Sequence, residues 1–540
     1  MKLLRLFAIF GVCLCRTVEL DWNVGYLQVD RTGYFTRRAI GVNQQMPIPP
    51  VHIMQGDVLT INVHNSLDVP TSLHAHGLLY NGTSFMDGAG MVTQCGIPPG
   101  DNFTYTIYTH DQAGTFWIRG SYNGQNADGL RTALIVHEKQ KPASYDEEEL
   151  ITLEDWYPLE FPTKMAIDDG PGSAYKMKPS YPFGLINGHD GNLTKTINFL
   201  PGKRYRFRVV SFATTMWFKF SLPGHTLHVI EVDGVNSEPF KVDGLDISPG
   251  QRYSVVVDAH NSSSYNYVYN CTMYANFVPR IAGLSPRIYL GKIEYSKSAP
   301  TKYFSSKCDE QLKWVDVVKL TPQNKQPLLP VDSQVKLASL RFNGTDNIPH
   351  SMLGDLPYAS PLVPTLFSAF TMGKLALNSG IYGPQAEAHV LRHMEVVEII
   401  IDNPIPMEHS LYLHGHKVQV VEFGPSGNAT SYNRPVATLR RAGKWPMQQD
   451  TVFIPAFQYA KLRFCADNPG VWLFRCQAEV HLHMGMAITF VEAPDVLQKQ
   501  QTLPQELSQM CLKQKIKASG NAAGNQGFDL SGLSVVRQVH

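Results

Sequence analysis

In the stretch RCQAEVHLHMGM, Cys476 is followed by His481 after five residues and by Met486 after ten, and His409 lies 67 residues upstream. Two imidazoles, a thiolate and a thioether are the donors of a mononuclear blue-copper centre. It has three strong ligands in a trigonal plane and a weak axial sulfur. Each residue alone has a blander reading. A lone cysteine in a β protein is usually a small buried hydrophobe, and a lone methionine usually fills core. A lone histidine can be held by core hydrogen bonds. The joint order and the tight Cys-x4-His-x4-Met spacing favour the metal. One His comes from an early strand, and the other three ligands come from a single late strand–loop–strand.

Further histidines cluster in LHAHG, with His74 and His76, and in LYLHGHK, with His414 and His416. Alternation along a strand projects both rings to one face, the geometry for bridging two metal ions. One H-x-H segment is weak evidence. Two, in the first and last thirds of the chain, are stronger.

The elements that must position these groups read as an all-β chain. With 42 Gly, 36 Pro and 11% aromatics the sequence is turn-rich. Alternating runs recur about every ten residues, at 58–63, 103–108, 205–210, 253–257, 396–401 and 459–464, a spacing that argues sandwiches or barrels. Three units are expected: 18–138, 150–295 after a charged link at 139–149, and 314–492 after a polar stretch at 296–313. A weak repeat supports them. MQGDVLTINVHN, LPGKRYRFRVVS and RHMEVVEIIIDN each set a turn before an alternating strand near the middle of a unit. Residues 1–17 read as a secretory signal and 493–540 as a polar tail without a membrane anchor.

Charged residues make up 17% and the net charge is +1, which excludes an electrostatic case for nucleic acid or an anionic membrane. Seven N-x-S/T sequons, at Asn81, Asn102, Asn192, Asn261, Asn270, Asn343 and Asn428, agree with an oxidising secretory route. Cys13 and Cys15 leave with the signal. With Cys476 reserved for metal, Cys95, Cys271, Cys308, Cys465 and Cys511 form an odd set, so at least one is expected unpaired. The pairing itself is not legible.

The segments SLHAHGLLYNGTSFMDG, VTQCGIPPG, AGTFWIRGSYNGQNADGL, HSLYLHGH, ADNPGVWLFRCQAEVHLHMGM and SGNAAGN resemble multicopper oxidases, most of all the fungal iron-uptake ferroxidases, with laccases further away. The resemblance covers nearly the whole chain after the signal. It implies three cupredoxin-like Greek-key domains in tandem. It also implies a type 1 copper in the third, and an oxygen-reducing trinuclear cluster between the first and third held by eight histidines in four H-x-H pairs. His74 and His76 keep the first pair. The second reads Arg119-Gly120-Ser121, the third Tyr412 and His414, and the fourth Arg475 and Gln477. Five of the eight ligands are replaced. Arginine has no lone pair to offer a metal at neutral pH. Three histidines cannot hold three coppers.

Two pocket carboxylates of the family, at Asp87 and Glu479, are kept, and Arg119 and Arg475 are expected to neutralise them. On the substrate side, the family's three acids for Fe(II) correspond to Asp155, to Ile405 and to the region of Tyr274–Ala275. Only Asp155 is acidic, with Glu408 beside His409 as a partial substitute. Partnership with an iron permease is doubtful on these grounds, and the electron donor or acceptor is unknown. The expectation is a secreted protein with one type 1 copper and no working cluster. The alternatives are an active oxidase of Fe(II) or phenols, or a catalytically silent structural relative.

Overall fold

The computed structural model describes residues 16–168, 182–189, 196–274, 287–302, 312–343, 349–427 and 438–533. Residues 1–15 of the expected signal at 1–17 lie outside them, as do Cys308, Asn192 and Asn428.

The alternating runs become strands. In Val58–Asn65 every second side chain is buried, the period of a strand with one face on a core. The other runs appear as Asn102–Tyr108, Arg204–Ser211, Arg252–Asp258, Val396–Asn403 and Gln458–Cys465. The three repeat segments share one topological role. Each is an inner strand, parallel to the strand that opens its unit and antiparallel to a later one. Val58–Asn65 lies between Thr17–Val29 and Asn102–Tyr108. Arg204–Ser211 lies between Glu147–Trp156 and Arg252–Asp258. Val396–Asn403 lies between Ser333–Ala338 and Gln458–Cys465. Parallel neighbours require crossover connections rather than hairpins, so each unit is a double-layered β-sandwich.

The first and third units share one continuous apolar core, in which Leu59, Ile61 and Phe116 belong to the same cluster as Ile399, Leu411 and Trp472. The second keeps a core of its own around Phe207, Phe218 and Val255. Buried ion pairs join the units. Glu154 takes Arg31 and Arg131, each at 2.9 Å. Asp450 takes Arg252 through two hydrogen bonds of 2.6 and 2.7 Å.

One expectation changes. The charged link is shorter than 139–149, because Glu147–Trp156 is already a strand in which Glu148 pairs with Arg208 at 2.9 Å. The polar tail adds structure that the sequence reading did not describe. It forms helices Pro494–Gln500 and Gln505–Lys513, burying Leu497, Leu507 and Met510. A disulfide between Cys95 and Cys511 fastens it to the first unit across 416 residues of sequence. Cys465 is free. Among the described residues no helix is long and apolar enough to cross a membrane.

Candidate metal centre

Strand His409–Leu413 pairs antiparallel with Gly470–Cys476, setting Leu411 opposite Cys476. His409 opens one strand and Cys476 ends the other. After Cys476 the chain makes a one-turn helix, Glu479–His483, and returns as strand Ala487–Glu492. Backbone bonds close this loop: Gln477 N–H donates to Ser410 at 2.7 Å, Cys476 to Met486 at 3.1 Å and Met486 to His481 at 2.9 Å. Gly485 makes the return possible. Its φ is +105°, and a Cβ there would stand 3.0 Å from the Pro357 and Tyr358 backbone.

The result brings three of the sequence's four donors together. His409 Nδ1 lies 3.4 Å from His481 Nδ1, and Cys476 Sγ lies 3.3 Å from His481 Nδ1. One donor atom from each of the three falls within 4.8 Å of the others. All three residues are buried, and so is Met486, in the same apolar cluster as Cys476. Burial pushes His409 down to about 3 and His481 far down, and it pushes the Cys476 thiol up to about 11. Three neutral donors therefore face one point with no carboxylate among them. Two imidazole Nδ1 atoms and a sulfur fit a soft copper ion far better than a hard cation. Held there, a type 1 copper would supply one-electron redox chemistry.

The comparisons with known proteins give the family of the chain. Multicopper oxidase family models match residues 23–141, 147–284 and 355–496. The iron multicopper oxidase fer1 of Mycosarcoma maydis is 35% identical, over 96% of this chain and 87% of that protein. The chain belongs to the multicopper oxidase family. The iron transport multicopper oxidase FET5 of Saccharomyces cerevisiae is 32% identical, over 97% of this chain and 87% of that protein. The crystal structure of Fet3p, a multicopper oxidase that functions in iron import, superposes with a TM-score of 0.88 at 28% identity. That match covers 97% of this chain and all of that one.

A second group of residues lies where the multicopper oxidase resemblance puts the cluster. Tyr412 stacks on His76 with ring centroids 3.7 Å apart, and its hydroxyl lies 3.0 Å from both His74 Nε2 and the Gly77 amide nitrogen. His76 Nε2 faces Thr451 Oγ1 at 2.9 Å and Asp450 at 3.4 Å. His414 Nδ1 lies 3.0 Å from both oxygens of Asp87, and His74 Nδ1 lies 2.7 Å from the Asp87 carbonyl. His74, Asp87 and His414 form a compact cluster. His74 spends both ring nitrogens on Asp87 and Tyr412, while His414 Nε2 has no hydrogen-bond partner among the described residues. Burial alone would push the Asp87 carboxyl up. His414 and His74 outweigh it and hold that carboxyl well below the carboxylate range.

The expected charge compensation is half right. Arg119 and Arg475 are both buried, and both converge on Glu479 Oε1, at 3.4 and 2.9 Å. Neither pairs with Asp87, because the two histidines reach it first. Ser121 lines a cleft beside Arg119 and Arg475, and Gln477 is buried. His416, from the second H-x-H segment, points elsewhere and pairs with Glu492 at 2.9 Å.

Asp155 is not available to iron. It is fully buried, and its two oxygens accept from the amides of Thr214, Thr215 and Met216 and from the Thr214 hydroxyl, at 2.8 to 2.9 Å. Ile405 and Glu408 are half-buried. The side chains at Tyr274–Ala275 lie outside the described residues, as do those of Asn270, Asn343 and Cys271. Asn81, Asn102 and Asn261 are exposed. Sequence reasoning missed Asp450, Thr451 and Arg252, which close the His76 side. They carry no spacing signal, since they reach the site from other strands and another unit.

Proposed function

We propose that this chain is a secreted, one-copper electron-transfer member of the multicopper oxidase family whose oxygen-reducing cluster has been lost. A contrast within the third unit carries the reading. His409, Cys476 and His481 converge with no competing carboxylate, whereas Tyr412 fills the cluster position and occupies His74 and Gly77. Four-electron reduction of oxygen needs all three cluster coppers. A lone type 1 copper accepts one electron and must pass it to a partner. Secretion is supported by the Cys95–Cys511 disulfide, a bond of oxidising compartments. Iron as the electron donor is not carried over from the relatives, because Asp155 is spent on backbone amides and Ile405 is apolar. The partnership with an iron permease has no support for the same reason.

Reductive titration of the copper-loaded chain tests the reading. One electron equivalent per chain bleaches it under nitrogen, and repeated additions of donor in air consume no oxygen beyond the uncatalysed rate. Sustained oxygen uptake would establish the oxidase instead. A chain that never takes up copper would establish the silent scaffold.

A further inference from the structure

Next to the cluster position, a cleft of about 140 Å³ opens between the first and third units, and both buried guanidiniums line it. Arg119 is 1% exposed. Its one side-chain hydrogen bond among the described residues is the long contact of Nη1 with Glu479. The Nε–H and Nη2–H groups have no hydrogen-bond partner among the described residues. These two donors form one edge of the planar guanidinium, the fork that grips two oxygens side by side. Arg475 spends Nε on the Cys476 carbonyl and Nη2 on the same Glu479 oxygen. Two cationic groups thus share one contacting carboxylate, and the next negative charge felt by Arg119 is the more distant Asp87. Burial pushes Arg119 down to about 10, and the neighbouring Arg475 adds to the effect, yet it stays charged at neutral pH. A buried cation with an unpaired fork is costly unless an anion meets it. Ser121, Tyr122 and Ser360 also line the cleft.

We propose that this cleft binds a small oxyanion, a carboxylate or inorganic phosphate, on the free edge of Arg119 with Arg475 beside it. The site uses no residue of the copper triad and goes beyond the electron-transfer reading, so either can fail without the other.

Calorimetric titration of the full chain in an amine buffer, with inorganic phosphate and separately with acetate, tests it. Saturable one-to-one binding of either anion is expected, and the anion that saturates identifies the class. Arg119→Met removes the fork and weakens binding by about tenfold or more. Glu479→Gln keeps the shape, removes the competing negative charge and tightens binding. If Arg119→Met does not fold, the sign of the Glu479→Gln change decides. No saturable heat with either anion, or equal affinity in the wild type and both variants, would overturn the proposal.

Discussion

Asp155 shows how one carboxylate can look like a ligand in sequence and be a backbone fastener in space. Its oxygens accept four hydrogen bonds from 214–216, the turn that follows strand Arg204–Ser211. Removing the carboxylate strands three buried amides, each worth about 1–3 kcal/mol when left unsatisfied. Asp155→Ala is therefore expected to lower unfolding stability by roughly 3 kcal/mol or more. The blue absorption per folded chain stays unchanged. Urea melts and copper spectra of the same samples check this, and a fully stable variant would return Asp155 to the list of candidate ligands. The copper triad was legible because its members sit close in sequence, with only His409 distant, and the residue types are chemically distinctive. The fate of Asp87 was not legible. Whether it meets an arginine or a histidine depends on how strands remote in sequence pack against one another.

At the level of elements, the alternating runs and the three repeat segments were readable because a period of two marks a half-buried strand. Val58–Asn65, Arg204–Ser211 and Val396–Asn403 all became inner strands with parallel partners. The helices of the C-terminal segment were not read from the sequence, for a physical reason. Its helices are seven and nine residues long and largely polar, so tertiary contacts make them rather than propensity. A signal was present: Leu507, Met510 and Cys511 fall at helical spacing and are all buried. The disulfide anchors that helix to the first unit, and Gln501 bonds the Ser84 backbone and the Pro469 carbonyl. Cys511→Ser is expected to cost about 2–4 kcal/mol by releasing a very long cross-linked loop. It should speed proteolysis after 500 before elsewhere. Limited proteolysis with mass spectrometry reads both the site and the rate, and uniform cleavage along the chain would contradict the clamp.

The whole molecule is three sandwiches held by buried charge as well as by apolar surface. Burial alone would raise the Glu154 and Glu231 carboxyls. Arg31 and Arg131 around the first, and Arg206 and Arg208 around the second, outweigh it and bring both down to about 2. The folded state therefore binds these protons less readily than the unfolded chain. Their contribution is complete above the ordinary glutamate pKa of about 4.5 and is lost as the pH falls toward about 2. Thermal melts between about pH 5 and about pH 3 are expected to show a falling midpoint that high salt lessens only weakly, since the pairs are buried. A flat midpoint would contradict the role of these pairs. The shared core of the first and third units places the cluster cavity at their seam, with Arg119 supplied from one side and Arg475 and Tyr412 from the other. That seam decides what the protein can do. The most direct test is elemental analysis together with the absorption spectrum of the copper-saturated chain. About one copper per chain with an intense blue band, both lost in Cys476→Ser, is the predicted result. About four coppers per chain with added near-ultraviolet absorption from a bridged pair would contradict it.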